Sequence, residues 1–132
     1  MNQTTAPLAV YLVEDSPIMA NLLRRLLDEE RDVQIVGSAD NAVSAILDIA
    51  TLRPQLVVID LALKSGSGYD VLKALPGRNG SRPTAVVLTN LSADVHRSRA
   101  CELGADQFFD KSRDIGLMLA YVRDFARRTA AS

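Results

Sequence analysis

Apolar residues along this chain fall into short unbroken runs separated by stretches with helical spacing. The runs Leu8 to Val13, Val33 to Val36, Leu56 to Ile59, Ala85 to Leu88 and Phe108-Phe109 are rich in Val and Ile. Unbroken runs, as opposed to alternating ones, mark strands covered on both faces. Ser16 offers a capping hydroxyl before Pro17 at a first helical position, and Ile18, Leu22, Leu23, Leu26 and Leu27 follow at helical spacing. Asp40 is placed to cap a second helix whose face carries Val43, Ile46, Ile49 and Ala50, with Arg53-Pro54 ending it. A short third helix runs from Gly68 through Val71, Leu72 and Leu75 to a stop at Pro76-Gly77. Gly77 to Pro83 is turn chemistry throughout. Ser92 to Leu103 predicts a weakly amphipathic fourth helix with Gly104 as its left-handed stop. Ile115, Met118, Leu119, Val122, Phe125 and Ala126 give the last helix a strong stripe, after which a frayed end is expected.

Strict alternation of buried strands and helices predicts an α/β fold: a five-stranded parallel, doubly wound (βα)5 sheet with helices on both faces. Functional groups in such sheets gather outside the carboxyl ends of the strands. Asp60 closes the run Leu56 to Ile59 there, and Glu14 and Asp15 close the run Leu8 to Val13 in the same way. If these two strands are neighbours, three acids converge on one rim with no local counter-ion. Carboxylates so crowded repel, which raises at least one pKa unless a cation sits among them. An oxygen-only set suits a hard divalent ion, Mg²⁺ first and Mn²⁺ second. Thr89 and Lys111 end their own runs in the same geometric sense.

Composition narrows the picture without redirecting it. The chain has 132 residues, enough for one domain, read as 1–132 with a core from about 8 to 126. A formal net charge of −1 supplies no global field to recruit nucleic acid or an anionic membrane. No apolar run is long enough to span a bilayer, Met1 to Ala6 lacks the regions of a signal peptide, and the single Cys101 excludes an internal disulfide framework. A cytoplasmic location is expected. Cys101 reads as a small core residue, His96 as exposed and structural, and Arg123, Arg127 and Arg128 as partners of a helix C-terminus more than a nucleic-acid footprint.

The motifs Val13-Glu14-Asp15-Ser16, Ile59-Asp60, Leu88-Thr89 and Phe109-Asp110-Lys111, with Gly68 and Gly104, resemble the receiver domain of two-component response regulators, the CheY-like family, from about Leu8 to Ala126. The resemblance implies the flavodoxin-like strand order 2-1-3-4-5. It makes Asp60 the phospho-acceptor, taking a phosphoryl group from a sensor histidine kinase or a phosphotransfer protein. Glu14, Asp15, Asp60 and the backbone carbonyl of Ala62 would hold Mg²⁺, while Lys111 and the Thr89 hydroxyl would each bind a phosphoryl oxygen. Phe108 becomes the aromatic whose rotamer follows Thr89. The surface of the fourth helix, fifth strand and fifth helix would then meet a downstream protein or mediate a phosphorylation-dependent dimer, with no nucleic acid or membrane contacted directly. Such a domain is not an enzyme beyond slow self-phosphorylation from small donors and autodephosphorylation.

The chain departs from the family pattern at five positions. Ser112 follows Lys111 where most receivers have a proline preceded by a cis bond, and a cis bond to a non-proline residue costs roughly 3 kcal/mol. Lys64 stands where a proline is common, so the loop Lys64 to Gly68 is expected to be more mobile. Asn90 replaces a small residue and narrows access to the acceptor, and Ala62 and Leu91 bring no polar group to position a hydrolytic water. A long-lived phosphorylated state is the expectation.

Solvated strand-end acids are the bland alternative for Glu14, Asp15 and Asp60, and the ordered presence of Thr89 and Lys111 weighs against it. A pseudo-receiver used only for docking would tolerate degenerate acids, which are intact here. A phosphatase with an aspartyl nucleophile wants a second Asp where Ala62 stands. A flavin binder wants a phosphate-cradling loop where Glu14-Asp15 would repel phosphate. A stand-alone regulator is expected over the receiver portion of a longer DNA-binding protein.

Overall fold

The computed structural model describes residues 6–76 and 82–131. Strands β1 (Leu8–Val13), β2 (Val33–Ala39), β3 (Leu56–Ile59), β4 (Thr84–Thr89) and β5 (Gln107–Asp110) alternate with helices α1 (Pro17–Asp28), α2 (Ala42–Leu52), α3 (Gly68–Ala74), α4 (Asp94–Glu102) and α5 (Ile115–Ala131). All pairings are parallel, and the sheet order is β2-β1-β3-β4-β5. The expected fold and strand order are those observed. Most of the segment read as turn chemistry, 77–81, lies outside the described residues.

Period-two side-chain geometry divides each strand between two cores. Tyr11, Val13, Val57, Ile59, Ala85 and Val87 pack under α2, α3 and α4 with Ala45, Ile49, Val71, Leu72 and Ala100. Val10, Leu12, Leu56, Val58, Val86 and Leu88 face the other way, against Leu23 and Leu27 of α1 and Met118 and Val122 of α5. Both faces are therefore apolar, which is why the strands read as unbroken runs.

Local chemistry sets the helix ends. The Ser16 hydroxyl accepts from the Met19 N–H, with Pro17 opening α1 as its sequence predicts. Helix α2 is capped by Asn41, whose side chain accepts from the Ser44 N–H, and not by Asp40. Asp40 instead accepts from the Asn41 amide at 2.8 Å and pairs with Lys64 at 3.4 Å. The buried face of α2 is Ala42, Ala45 and Ile49; Val43 is 68% exposed and Ala50 is also exposed, which corrects the expected face. Helix α4 starts at Asp94, two residues later than expected, with no side-chain cap at Ala93. Gly104 closes it at φ +99°. Cys101 is exposed and not in the core. At the other end of the chain α5 continues to Ala131 with no frayed end after Ala126.

Gly68 opens α3 with its Cα pressed on the peptide that follows Asp60. A Cβ there would strike the Asp60 carbonyl oxygen and lie 2.7 Å from the Leu61 Cα, both backbone atoms with little room to yield. Gly68→Ala is expected to lower stability by about 2–4 kcal/mol, read as a shift in urea midpoint. A loss below about 0.5 kcal/mol would mean that the β3-α3 turn moves freely and does not brace Asp60.

Candidate functional site

Ladder bonds continue past the strand ends and fix the rim on which the polar groups stand. The Glu14 N–H donates to the Ala39 carbonyl at 3.0 Å, the Asp60 N–H to Val13 at 2.9 Å and the Lys111 N–H to Thr89 at 2.9 Å. Strand β3 lies between β1 and β4, so Asp60 occupies the centre of the group. Glu14, Asp60, Thr89 and Lys111 are the buried polar residues among those described, and Asp15 is half-buried.

Each oxygen of Asp60 has its own partners. Oδ1 accepts from the Thr89 hydroxyl at 2.8 Å and from the Ala62 N–H at 3.1 Å. Oδ2 lies 2.6 Å from Lys111 Nζ. The same ammonium sits 2.7 Å from Glu14 Oε1, while Glu14 Oε2 accepts from the Ser16 N–H at 3.0 Å. Lys111 thus bridges two of the three acids. Burial pushes the Glu14 carboxyl above the ordinary glutamate value, opposed by its bonds to Lys111 and Ser16. Burial alone would lower the Lys111 pKa, but its hydrogen bonds to Asp60 and Glu14 outweigh this and hold it above the ordinary lysine value.

Glu14, Asp15, Asp60, Thr89 and Lys111, predicted to share one rim, stand together there. One carboxylate oxygen from each of Glu14, Asp15 and Asp60 lies within 4.8 Å of the others, a set that fits a hard divalent cation. With all three ionised and Lys111 protonated, the cluster carries two uncompensated negative charges, the amount one such ion neutralises. An open cleft lined by Pro17, Asp40, Asn41 and Ser44 adjoins Glu14 and Asp15.

The flanking residues are more varied. Ala62 and Asn90 are exposed and Leu91 is 38% exposed, its N–H donating to the Thr89 hydroxyl at 3.2 Å. Phe108 is half-buried against the α2-side core, with the Arg97 guanidinium 4.5 Å from its ring centre. The Lys111–Ser112 peptide is trans. The loop at Lys64 is tied on two sides, by Lys64 N–H to the Asp40 carbonyl at 3.1 Å and by Ala42 N–H to the Ser65 carbonyl at 3.0 Å.

Other contacts were not foreseen. His96, half-buried, meets the Tyr69 hydroxyl through Nδ1 at 2.7 Å. Arg123 forms a two-pronged pair with Glu30 at 2.9 and 3.0 Å, so one member of the basic cluster braces α5 against the turn before β2. Asp110 bonds both the backbone and the hydroxyl of Ser112. An Asp two residues before a Ser is a recognisable turn signature, and it was there to be read in Asp110-Lys111-Ser112.

A parallel doubly wound sheet with its polar cluster outside the carboxyl ends of the strands places the chain in the class of open α/β domains that carry their site at that rim. The family model for the response regulator receiver domain matches residues 10–123, and the chain belongs to that family. It is similar to the KDP operon transcriptional regulatory protein KdpE of Escherichia coli, 32% identical over 93% of this chain and 53% of the relative. It is 32% identical to the nitrate/nitrite response regulator protein NarP of the same species over 92% of the chain and 56% of NarP. The chain thus spans about half the length of these two curated relatives. Among solved structures, the BeF3-activated N-terminal receiver domain of Klebsiella pneumoniae RstA superposes with a TM-score of 0.78 at 27% identity, covering 90% of this chain and 98% of that one. A LuxR-family regulator from Aurantimonas shares the fold at TM-score 0.82 and 23% identity, over 92% and 86% of the two chains. No helix among the described residues is long and apolar enough to cross a membrane.

Proposed function

We propose that this receiver domain is a phospho-accepting switch in a two-component relay, with Asp60 as the acceptor. The observation that carries the reading is the Asp60 carboxylate itself, held by Thr89 and the Ala62 N–H on one oxygen and by Lys111 on the other, beside two further acids. An Asp60 oxygen attacks the phosphorus of a phosphohistidine on a kinase or phosphotransfer protein. The new O–P bond forms as the P–N bond breaks, and the imidazole leaves with the electron pair of that bond.

Glu14, Asp15, Asp60 and the carbonyl of Ala62 would hold Mg²⁺, or Mn²⁺ in its place, which when bound neutralises charge on the phosphoryl oxygens. Lys111 shifts its ammonium from the carboxylates to a phosphoryl oxygen, and the Thr89 hydroxyl donates to another. Thr89 moves inward as it does so. Phe108 follows into the space vacated, and the α4-β5-α5 surface changes for a downstream protein or a second receiver. The domain acts in the cytoplasm and carries no catalysis beyond slow phosphorylation from small donors and slow self-hydrolysis. That the similar RstA receiver domain was solved in a BeF3-activated state supports a switching role for this domain.

The test is intact mass after exposure to acetyl phosphate or phosphoramidate, with and without Mg²⁺. One phosphoryl adduct that needs Mg²⁺ is the expected result; no adduct with either donor would overturn the reading in favour of a docking module. The lifetime of that adduct is a second expected outcome. Ala62 and Leu91 present no polar group to position water beside Asp60, and Asn90 narrows access to it, so decay by mass over time should take minutes or longer, and a half-life of seconds would contradict their assigned part.

A further inference from the structure

The turn after β5 must deliver Lys111 to two buried carboxylates, yet its next residues, Ser112 and Arg113, are polar and exposed. Asp110 supplies the missing constraint. Its Oδ1 accepts from the Ser112 N–H at 2.8 Å and from the Ser112 hydroxyl at 2.6 Å. Its own N–H donates to Asp114 Oδ2 at 2.9 Å, and its carbonyl accepts from the N–H groups of Arg113 at 3.1 Å and Asp114 at 2.7 Å. Lys111 is therefore bracketed by residues that are bonded to each other across it.

We infer that Asp110 is a positioning residue for Lys111, its carboxylate locking the β5-α5 turn so that the lysine ammonium meets the acceptor aspartate at a fixed place. The inference rests on the phospho-acceptor reading of Asp60. Two considerations separate this role from ordinary turn stabilisation. A lysine side chain has four rotatable bonds, so the position of its ammonium inherits every error in the backbone that carries it. A misplacement near 1 Å at a charge-stabilising group is enough to cost on the order of a hundredfold in rate. The bonding also runs both ways across the lysine: the Asp110 carboxylate holds Ser112, and the Asp114 carboxylate holds the Asp110 N–H at 2.9 Å. The acceptor Asp60 is bonded by Thr89, the Ala62 N–H and Lys111, so Asp110 acts on it only through the lysine.

The experiment compares wild type with Asp110→Ala, Asp110→Asn and Ser112→Ala. It follows the rate of adduct formation by intact mass over a range of acetyl phosphate and Mg²⁺ concentrations, together with hydrogen exchange at the Lys111 amide. Asp110→Ala should slow phosphorylation at saturating donor by about tenfold, with the Mg²⁺ concentration for half-maximal rate unchanged, because the acids that would hold the ion stand on β1 and β3. Asp110→Asn retains a carbonyl oxygen for Ser112 and should recover most of that rate. Ser112→Ala loses the hydroxyl bond alone and should fall between. Exchange at Lys111 should quicken in Asp110→Ala while core amides keep their protection. A wild-type rate in Asp110→Ala, or a loss shared equally with the Mg²⁺ dependence, overturns the inference. If wild type itself forms no adduct, the phospho-acceptor reading fails separately, and exchange then decides alone: unchanged protection at Lys111 in Asp110→Ala overturns the clamp, and quickened exchange confined to the turn supports it.

Discussion

Asp60→Asn is expected to form no phosphoryl adduct with either small donor, at any Mg²⁺ concentration, while remaining folded. The asparagine keeps the shape of the side chain and one carbonyl oxygen, so it can still accept from the Thr89 hydroxyl and the Ala62 N–H, which meet Asp60 at 2.8 and 3.1 Å. It loses nucleophilicity, since a neutral amide oxygen is a far poorer attacking group at phosphorus than a carboxylate. Its amide NH₂ would face Lys111, and a donor cannot satisfy an ammonium. The lysine retains Glu14 at 2.7 Å, so the buried cation is not orphaned. One charge-assisted hydrogen bond is given up, worth about 1.5–3 kcal/mol, and repulsion among three carboxylates is relieved at the same time. The net change in urea stability should stay within about 2 kcal/mol. Intact mass and a urea titration on the same preparation check both halves. An adduct persisting in folded Asp60→Asn would place the acceptor elsewhere, with Asp15 and Glu14 next to be replaced.

The strands were legible because burial on both faces leaves no polar alternation to confuse their phase, and because every apolar run but the second is directly followed by a polar residue at the same rim. Helix α2 shows where the pattern gives out. Its segment Ala42 to Leu52 has apolar residues on every side, so spacing alone cannot choose between a face through Val43 and Ala50 and the one through Ala42, Ala45 and Ile49 that the sheet covers. Asp40 and Asn41 are both good caps by chemistry, and the choice fell to Asn41 because Asp40 is engaged with Lys64. Strand β2 runs three residues past its apolar run because backbone pairing with β1, through a register shift opposite Val10 and Tyr11, extends it over Gly37 and Ser38. Pairing of that kind leaves no trace in hydropathy. Cys101 was misplaced for a related reason: α4 buries only Ala100 among its residues, so small apolar character there says little about the core.

The candidate site was legible in its residue types and not in its connections. Strand-end position predicts that Glu14, Asp60 and Lys111 meet, but the bridging of two acids by one ammonium depends on distances that only the assembled sheet fixes. The contacts around Phe108 and Tyr69 also lay beyond a one-dimensional reading. Arg97 of α4 stacks on Phe108 of β5, and Arg99 on Tyr69 of α3, at 4.5 and 4.6 Å. These contacts hold α4 against β5 and α3, where α4 itself buries only Ala100.

That same bridging makes Lys111→Met the change with the largest expected effect on stability. Methionine keeps the length and apolar stem of the side chain and removes only the charge and its donors. Glu14 and Asp60, each 4% exposed, are then left without their shared cation. Breaking a buried pair from one side costs about 3–5 kcal/mol, because the remaining charge stays desolvated. The protein has two ways to relieve it. The first is a proton: Glu14 already lies above the ordinary glutamate value because of burial, and loss of Lys111 removes the largest opposing influence. A folded-state pKa above the unfolded one means that the native state binds the extra proton in the window between them. Stability from that source is present at low pH and is lost as pH rises through the folded value. The deficit of Lys111→Met against wild type should therefore be smaller near about pH 5 than near about pH 8. The second is a divalent cation, which should raise the stability of Lys111→Met more than that of wild type, since the ammonium no longer competes for the same oxygens. Phosphorylation should fall by about a hundredfold or more even where Mg²⁺ restores the fold, because the ion cannot replace a donor aimed at the phosphoryl oxygen. Urea titrations at the two pH values, each with and without Mg²⁺, separate these effects. Equal deficits in all four would mean that the acids do not feel the lysine, and the bridge would lose its meaning for both stability and phosphoryl transfer.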